Sequence, residues 1–358
     1  MSNSIHLISL LLLASGLSIH AQEKRAMTFD EMVGWERISE QRISDNGKWV
    51  FCKMEPWRGD ATILLYNDKG EEKGSFKPAA KAQFSSSSEY LLVTKTPPLK
   101  EVEAEKLKKT DKDKMPMNSL IISRLSGGME TIDSLKSYKL SETADWLAYQ
   151  RGSKKDSMLS LDGMQQDSFP AVSDFGFAQK GNVLYVVSDS VLYTYIPQKG
   201  NNRISDKKGV FKKIAFNENG SKLAYLFCPH KDSDFCLHDA LYLAENNTPG
   251  KLIAERGDKA FPASWIISEN APLYFSENAS RLFFGTAPEP KQKDTTLLAE
   301  NRPDVQVWSW DEKVQYTQQS FNKATDLKRS YTAIYNLGSG RLLQLATEEL
   351  PTLQTADE

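Results

Sequence analysis

A short motif that recurs six times constrains the fold of this chain more than any other feature. Each copy places an apolar residue before a turn of small polar residues, often Asn-Gly, and an apolar run after the turn. The copies lie at residues 43–51, 84–93, 140–149, 177–186, 216–227 and 275–284. Pairs such as Asn-Gly support the positive φ of a tight hairpin, and the run that follows is rich in β-branched and aromatic residues. Each copy therefore predicts a turn that leads into a β-strand.

The spacing of the copies predicts how these strands are arranged. Successive copies begin 41, 56, 37, 39 and 59 residues apart, and the shorter spacings match the roughly 40 residues of a four-stranded propeller blade. A single four-stranded sheet leaves both faces open to water, so each unit needs neighbours, which radial stacking supplies. We therefore predict an all-β fold, a β-propeller with about six four-stranded repeats. The sequence from Leu350 resembles the entry to a seventh repeat, which is incomplete because no apolar strand follows it.

The N-terminus carries an apolar run typical of an export signal. Residues 6–19 are mostly apolar, and Ile19-His20-Ala21 before Gln22 fits a cleavage site. The run is shorter than the roughly 20 residues of a membrane-spanning helix. The predicted organisation is a signal peptide at 1–21, a lead-in at 22–42 and the propeller at 43–358. We expect a periplasmic or extracellular protein with no membrane span after removal of the signal.

The charge pattern argues against nucleic acid as a partner. The chain has 45 basic and 47 acidic residues, mixed along its length, for a net charge of −2. Such a balance gives no strong field toward a polyanion. One run of mixed charge, residues 99–114, interrupts the second repeat, and we interpret it as a solvated excursion.

The three cysteines leave two alternatives open. Cys228 and Cys236 flank a short polar loop between two predicted strands, and an oxidising compartment would allow them to form a disulfide. With His230 and His238 they are also the candidates for a metal site, although their spacing matches no zinc motif, and we predict no metal and no cofactor. Cys52 lies in an apolar run and is expected to be a buried small hydrophobic residue.

Two later segments add a family resemblance. The repeat units resemble the TolB-type propeller repeat. Residues 265–285 and 302–310, which contain Trp265, Trp308 and Trp310, are similar to the N-terminal propeller of exported prolyl oligopeptidase family serine peptidases of Bacteroides-like bacteria. In that family the propeller precedes an α/β-hydrolase domain with a Ser, Asp and His triad and screens access to it. Alternation from Val305 to Trp310 predicts a strand, in which Trp308 and Trp310 pack against an adjacent blade. The resemblance adds Trp265 as a third packing residue.

No catalytic residue of that family can be assigned. No Gly-x-Ser-x-Gly nucleophile elbow occurs, and Gly338-Ser339-Gly340 fits a hairpin connection. His230 and His238 are the only histidines after the signal, and both lie in the Cys228–Cys236 loop region. We therefore expect the catalytic domain to be absent from this chain.

Two functional hypotheses follow. In the first, the chain is the non-catalytic propeller portion of such a peptidase and gates peptide access, with peptides as substrates only when a catalytic domain is present. In the second, it is a stand-alone binding propeller of the cell envelope with a protein or glycan ligand. In either case the incomplete seventh repeat leaves open blade edges, through which we expect self-association.

Overall fold

The computed structural model of the chain describes residues 25–152, 158–162, 168–180, 182–197, 199–205, 207–229, 239–290, 301 and 307–354. The predicted signal peptide lies outside these ranges. Within them, no helix is long and apolar enough to span a bilayer. The helices are α1 (Phe29–Val33), α2 (Leu99–Leu107) and α3 (Tyr316–Asp326), with a 3-10 turn at Lys112–Lys114.

The strands form a series of antiparallel meanders. The first sheet contains β1 (Glu36–Ile43), β2 (Trp49–Pro56), β3 (Thr62–Asn67) and β4 (Glu72–Phe76). A seven-stranded sheet contains β5 (Ala79–Phe84), β6 (Tyr90–Lys95), β7 (Asn118–Arg124), β8 (Met129–Leu140), β9 (Leu147–Arg151), β10 (Met158–Asp162) and β11 (Ser168–Pro170). The next contains β12 (Val172–Phe177), β13 (Leu184–Ser188), β14 (Val191–Ile196) and β15 (Gly200–Ser205). It is followed by β16 (Val210–Phe216), β17 (Lys222–Cys228), β18 (Ala240–Glu245) and β19 (Lys251–Ala254). The last contains β20 (Trp265–Ile267), β21 (Tyr274–Phe275), β22 (Arg281–Pro288), β23 (Tyr331–Asn336) and β24 (Arg341–Gln344).

The seven-stranded sheet is two blades joined by one long strand. Residues 129–132 of β8 pair with β7, whereas residues 137–140 pair with β9. Between these parts Ser134 has a φ of 56°, which changes the direction of the strand. Counting β8 twice gives six blades: β1–β4, β5–β8, β8–β11, β12–β15, β16–β19 and β20–β24. The predicted β-propeller with about six repeats is confirmed.

Blade 1 begins at Glu36, earlier in the chain than residue 43, where the first repeat motif begins. β1 gave no strand signal in the sequence, because Ile38 and Ile43 are its only apolar residues and they do not alternate regularly with the polar ones. At the other end, residues 347–354 form no strand. Leu353 packs against the apolar cluster shared by blades 5 and 6.

Each predicted motif is the turn between the first two strands of a blade, and side-chain oxygens hold it. In four turns the first residue accepts a hydrogen bond from the backbone N–H five positions later: Trp49 to Ser44 at 3.1 Å, Tyr90 to Ser85 at 3.2 Å, Lys222 to Asn217 at 2.8 Å and Arg281 to Ser276 at 3.0 Å. The third residue accepts from the N–H two positions later: Lys48 to Asn46, Glu89 to Ser87, Ser221 to Asn219 and Ser280 to Asn278. The fourth residue has positive φ: Gly47 at 70°, Ser88 at 58°, Gly220 at 73° and Ala279 at 51°. The short polar residues of the motif are thus required by the turn itself.

The core is a row of five apolar clusters, each shared by two consecutive blades. Representative pairs are Phe51 with Leu91, Leu120 with Leu147, Ala148 with Leu184, Leu192 with Leu223, and Leu226 with Leu282. These join blades 1 and 2, 2 and 3, 3 and 4, 4 and 5, and 5 and 6. Among the described residues no such cluster joins blade 6 to blade 1.

The meander gives the propeller two different ends. Because antiparallel strands alternate in direction, the repeat turns and the connections between third and fourth strands lie at one end, here called the turn end. The connections between second and third strands lie at the other, here called the loop end. The longest connections, including residues 96–117 and 289–330, all belong to the loop end.

Two glycines of the repeat allow a matched test of the turn. Gly47 and Gly220 have nearly the same positive φ, but an added Cβ at Gly47 meets nothing within 4 Å, whereas at Gly220 it comes within 3.0 Å of Ala178 and Val183 of the preceding blade. We expect Gly47→Ala to lower the free energy of unfolding by about 1 kcal/mol through backbone strain. Gly220→Ala should lower it by about 2 to 4 kcal/mol because the crowded contact between blades is added to the same strain. Urea unfolding monitored by circular dichroism measures both, and equal losses would contradict the role of Gly220 between blades.

Candidate functional site

The loop end is built from long connections that contact one another. Helix α2, in the charged run of blade 2, is attached to blade 1: the N–H of Leu99 donates to Asp60 Oδ1 at 2.8 Å, and Arg58 pairs with Glu103 at 2.9 Å. None of the α2 residues is buried. The helix of this run is therefore exposed to solvent, as predicted, but hydrogen bonds and an ion pair attach it to the connection between β2 and β3.

Large apolar side chains are exposed on these connections. The exposed fractions are 82% for Trp57, 86% for Leu107, 68% for Trp308, 97% for Trp310, 87% for Phe321 and 73% for Leu327. Scattered single apolar residues are normal on a surface, but a concentration of aromatic residues at one end of a fold is typical of a binding surface. The loop end is therefore a candidate contact surface for another domain or protein.

The three tryptophans of the family resemblance lie in different environments. Trp265, in β20, is buried, and its ring centroid lies 4.8 Å from that of Tyr331. The packing predicted for Trp308 and Trp310 differs from the structure: both are exposed and outside any strand, and Trp308 stacks only on Tyr316. Residues 307–310 of the predicted strand form no strand, and residues 305 and 306 lie outside the described part of the chain.

A buried carboxylate marks the inner part of the loop end between blades 5 and 6. Asp239, just before β18, is 3% exposed, and its Oδ2 lies 3.8 Å from Lys212 Nζ of β16. Lys212 also forms an ion pair with Glu269, which follows β20. Within the described residues Asp239 Oδ1 has no hydrogen-bond partner. Two carboxylates, Asp239 before β18 and Glu269 after β20, thus share Lys212 of β16.

The electrostatics of this group follow from burial. Removal from water is the largest cause of the raised pKa of Asp239; Lys212 opposes the shift, Glu269 adds to it, and together they bring the pKa to about 6. A carboxylate that titrates near pH 6 can hold or release a proton under mild conditions. Sequence reasoning missed this group because its members lie far apart in the chain and carry no motif, among 47 acidic residues.

The cysteines are only partly accounted for by the structure. Cys228 is disulfide-bonded, while Cys52 is a free, half-buried thiol rather than the buried residue expected. Cys236, His230 and His238 lie outside the described residues, so the Cys228–Cys236 pairing and the metal alternative stay predictions. In the described part of the chain no three acidic, Cys or His residues come together as a metal site would require.

A second concave surface lies at the turn end, in the groove between blades 2 and 3. It encloses about 710 Å³, and its walls include Tyr90, Arg124, Met129, Asp145 and Trp146. The guanidinium of Arg124 lies 5.6 Å from the Tyr90 ring centroid. Asp145 accepts from the backbone N–H of Ser87 at 3.3 Å and so joins the two blades beside the groove. Aromatic walls with a cation and a carboxylate suit a polar ligand that has an apolar face.

The predicted hairpin connection around Ser339 is present. It joins β23 to β24, and the N–H of Ser339 donates to Asn336 Oδ1 at 2.9 Å. A nucleophile elbow instead requires a turn from a strand into a helix. Ser339 is thus a turn residue of a blade.

Comparison with known proteins gives structural similarity alone. No protein-family model and no curated protein matches the chain. The β-propeller domain of the Trilobed protease from Pyrococcus furiosus is similar, with 11% identity and a TM-score of 0.40 over 72% of this chain and 79% of that one. A prolyl endopeptidase is 12% identical, with a TM-score of 0.43, and the match covers 87% of this chain and 42% of that one. TolB from Acinetobacter baumannii is 11% identical, with a TM-score of 0.34, and the match covers 80% of this chain and 60% of that one. The chain therefore spans less than half of the prolyl endopeptidase, and no residue role is transferred at these identities.

The buried acid gives a pH-dependent prediction. Because the pKa of Asp239 is about 6 in the folded state and near 4 in the unfolded state, its contribution to stability is full below about pH 4 and is lost as pH rises through about 6. Relative to Asp239→Asn, the wild-type free energy of unfolding should fall by about 3 kcal/mol between about pH 4 and pH 7. Glu269→Gln should reduce this fall, since it removes a charge that raises the pKa of Asp239. Urea unfolding at several pH values across this range measures the free energy of unfolding of each variant. A free energy that changes with pH in the same way in wild type and in Asp239→Asn would contradict the prediction.

Proposed function

We propose that this chain is the non-catalytic propeller portion of an exported serine peptidase of the prolyl oligopeptidase type, where it limits the access of peptides to a catalytic domain. The observation that carries the proposal is the loop end, where long connections expose Trp57, Trp310 and Phe321. Such a surface is costly in water unless another body covers it. A catalytic domain on this end would bury these side chains and leave the propeller as a screen.

The chemistry of the chain supports a non-catalytic role. The sequence has no nucleophile elbow, and Ser339 lies in a hairpin without a helix. Selectivity in such an arrangement is steric, since a substrate reaches the nucleophile only if it passes the blades. The apolar run at residues 6–19 supports export.

One experiment tests the proposal through the gene and the surface together. We expect the DNA after codon 358 to encode an α/β-hydrolase with a Gly-x-Ser-x-Gly elbow, and the purified chain alone to hydrolyse no peptide. That hydrolase, expressed separately, should bind the propeller, and Trp310→Ser with Phe321→Ser should weaken binding at least tenfold. Met129→Ser, an exposed substitution at the turn end, is the control and should have no effect. Peptide turnover by the chain itself, blocked by a serine-directed inhibitor, would overturn the proposal.

The groove between blades 2 and 3 favours a second candidate, a stand-alone binding propeller of the envelope. Its volume suits a short peptide or an oligosaccharide, and Trp146 in its wall is a fluorescent reporter. If this is the function, a ligand found on a glycan or peptide array should change tryptophan fluorescence. Arg124→Ala should weaken that binding, whereas Trp310→Ser should leave it unchanged.

A further inference from the structure

The two terminal blades each expose an apolar sheet face. Each blade has a leading face, on the side of the next blade in the chain, and a trailing face, on the side of the preceding blade. In every pair of neighbours the leading face of one blade packs on the trailing face of the next. The trailing face of blade 1 and the leading face of blade 6 have no such neighbour among the described residues. These two faces are therefore of the complementary kinds that meet five times inside the molecule.

The trailing face of blade 1 follows from strand register. Phe51 and Leu65 pair across β2 and β3 and point toward blade 2. The alternate residues point to the opposite face and form rows across the strands: Ile43, Val50 and Tyr66; Cys52 and Leu64; and Ile38 and Met54. Ile38 is 58% and Ile43 67% exposed, while the others, including Cys52 at the centre, are half-buried. A sheet with apolar residues on both faces is typical of a blade covered on both sides.

The leading face of blade 6 has the same character. Leu282 and Phe284 point toward blade 5, and the residues that alternate with them form one row across four strands: Tyr274, Phe283, Ile334 and Leu343. Tyr274 stacks on Phe283 with ring centroids 4.9 Å apart, and Leu343 is 55% exposed. Of the described residues after β24, Leu353 packs on the side of blade 6 that faces blade 5 and not on this row.

We infer that these two faces are docking surfaces for a second copy of this chain, with blade 6 of one copy packed on blade 1 of the next. The contact continues the blade-on-blade packing that is present inside each copy. A face of four strands, spaced about 4.8 Å apart and about six residues long, measures about 20 by 20 Å. Two such faces bury about 800 Å² in total, less than the roughly 1,200 Å² of stable complexes, so the association should be weak and should depend on protein concentration. The self-association predicted from open edges thus involves faces of the terminal blades.

A contact between two different faces makes a specific prediction for variants. The contact is heterologous, so each copy offers one surface of each kind. Ile43→Lys blocks the face of blade 1 and Leu343→Lys blocks the face of blade 6, and both residues are exposed enough for the monomer to fold. Each variant alone should be monomeric, because every contact needs both faces. An equal mixture should form a heterodimer that cannot grow, since each variant keeps the face that the other lacks.

The experiment is sedimentation velocity of the mature chain from micromolar to submillimolar concentration, with circular dichroism to confirm folding. Wild type and the control Phe321→Lys, on α3 in the connection between β22 and β23, should show concentration-dependent assembly. Maleimide labelling of Cys52 should slow at least severalfold as wild type assembles and stay fast in Leu343→Lys.

Three results would overturn the inference. The first is a wild-type monomer at every concentration. The second is assembly of both single variants as in wild type, which would place the contact elsewhere. The third is loss of assembly in Ile43→Lys while Leu343→Lys still assembles, which would indicate a symmetric contact between two copies of blade 1.

Discussion

The architecture depends on the contacts that successive repeat turns make with one another. The N–H of Asn46 donates to Ser88 at 3.2 Å between blades 1 and 2, and that of Lys180 donates to the carbonyl of Glu218 at 2.6 Å between blades 4 and 5. Lys222 Nζ reaches the carbonyl of Ala279 at 3.3 Å between blades 5 and 6. The turns therefore do two things: they reverse the chain, and they set the distance between blades at one end. The small polar residues of the motif serve both purposes.

Fixing the turn end leaves the loop end free to vary. The connections there need only return the chain to the next strand, and they hold helices, an ion-paired buried acid and exposed aromatic residues. This freedom comes at a cost in stability: Asp239 is buried with one oxygen that has no partner among the described residues, and its ionised form lowers the free energy of unfolding at neutral pH. Carboxylates with strongly raised pKa values are concentrated at functional sites, although structural ion-pair networks raise them as well.

The sequence could predict what repeats and what alternates. The strands that follow the six motifs lie where the sequence predicted them, and in four of the turns a residue with positive φ leaves few other conformations. It could not predict that Trp308 and Trp310 are exposed, since a strand pattern says nothing about whether a partner strand is near. Nor could it bring Lys212, Asp239 and Glu269 together, because their proximity arises from the stacking of two blades. The alternate residues Val50, Cys52 and Met54 did carry a signal: a strand apolar on both sides is expected to be covered on both.

The exposed surfaces of the molecule are oriented differently, and this bears on how they can be used. The loop end lies along the axis of the propeller, whereas the open faces of blades 1 and 6 lie around it. A domain on the loop end and a second copy against the terminal blades would therefore not compete for the same residues. Ile43 and Leu343 belong to the faces, while Trp310 and Phe321 belong to the loop end. The two kinds of contact can thus be separated by substitution, and a chain that lacks one should still show the other.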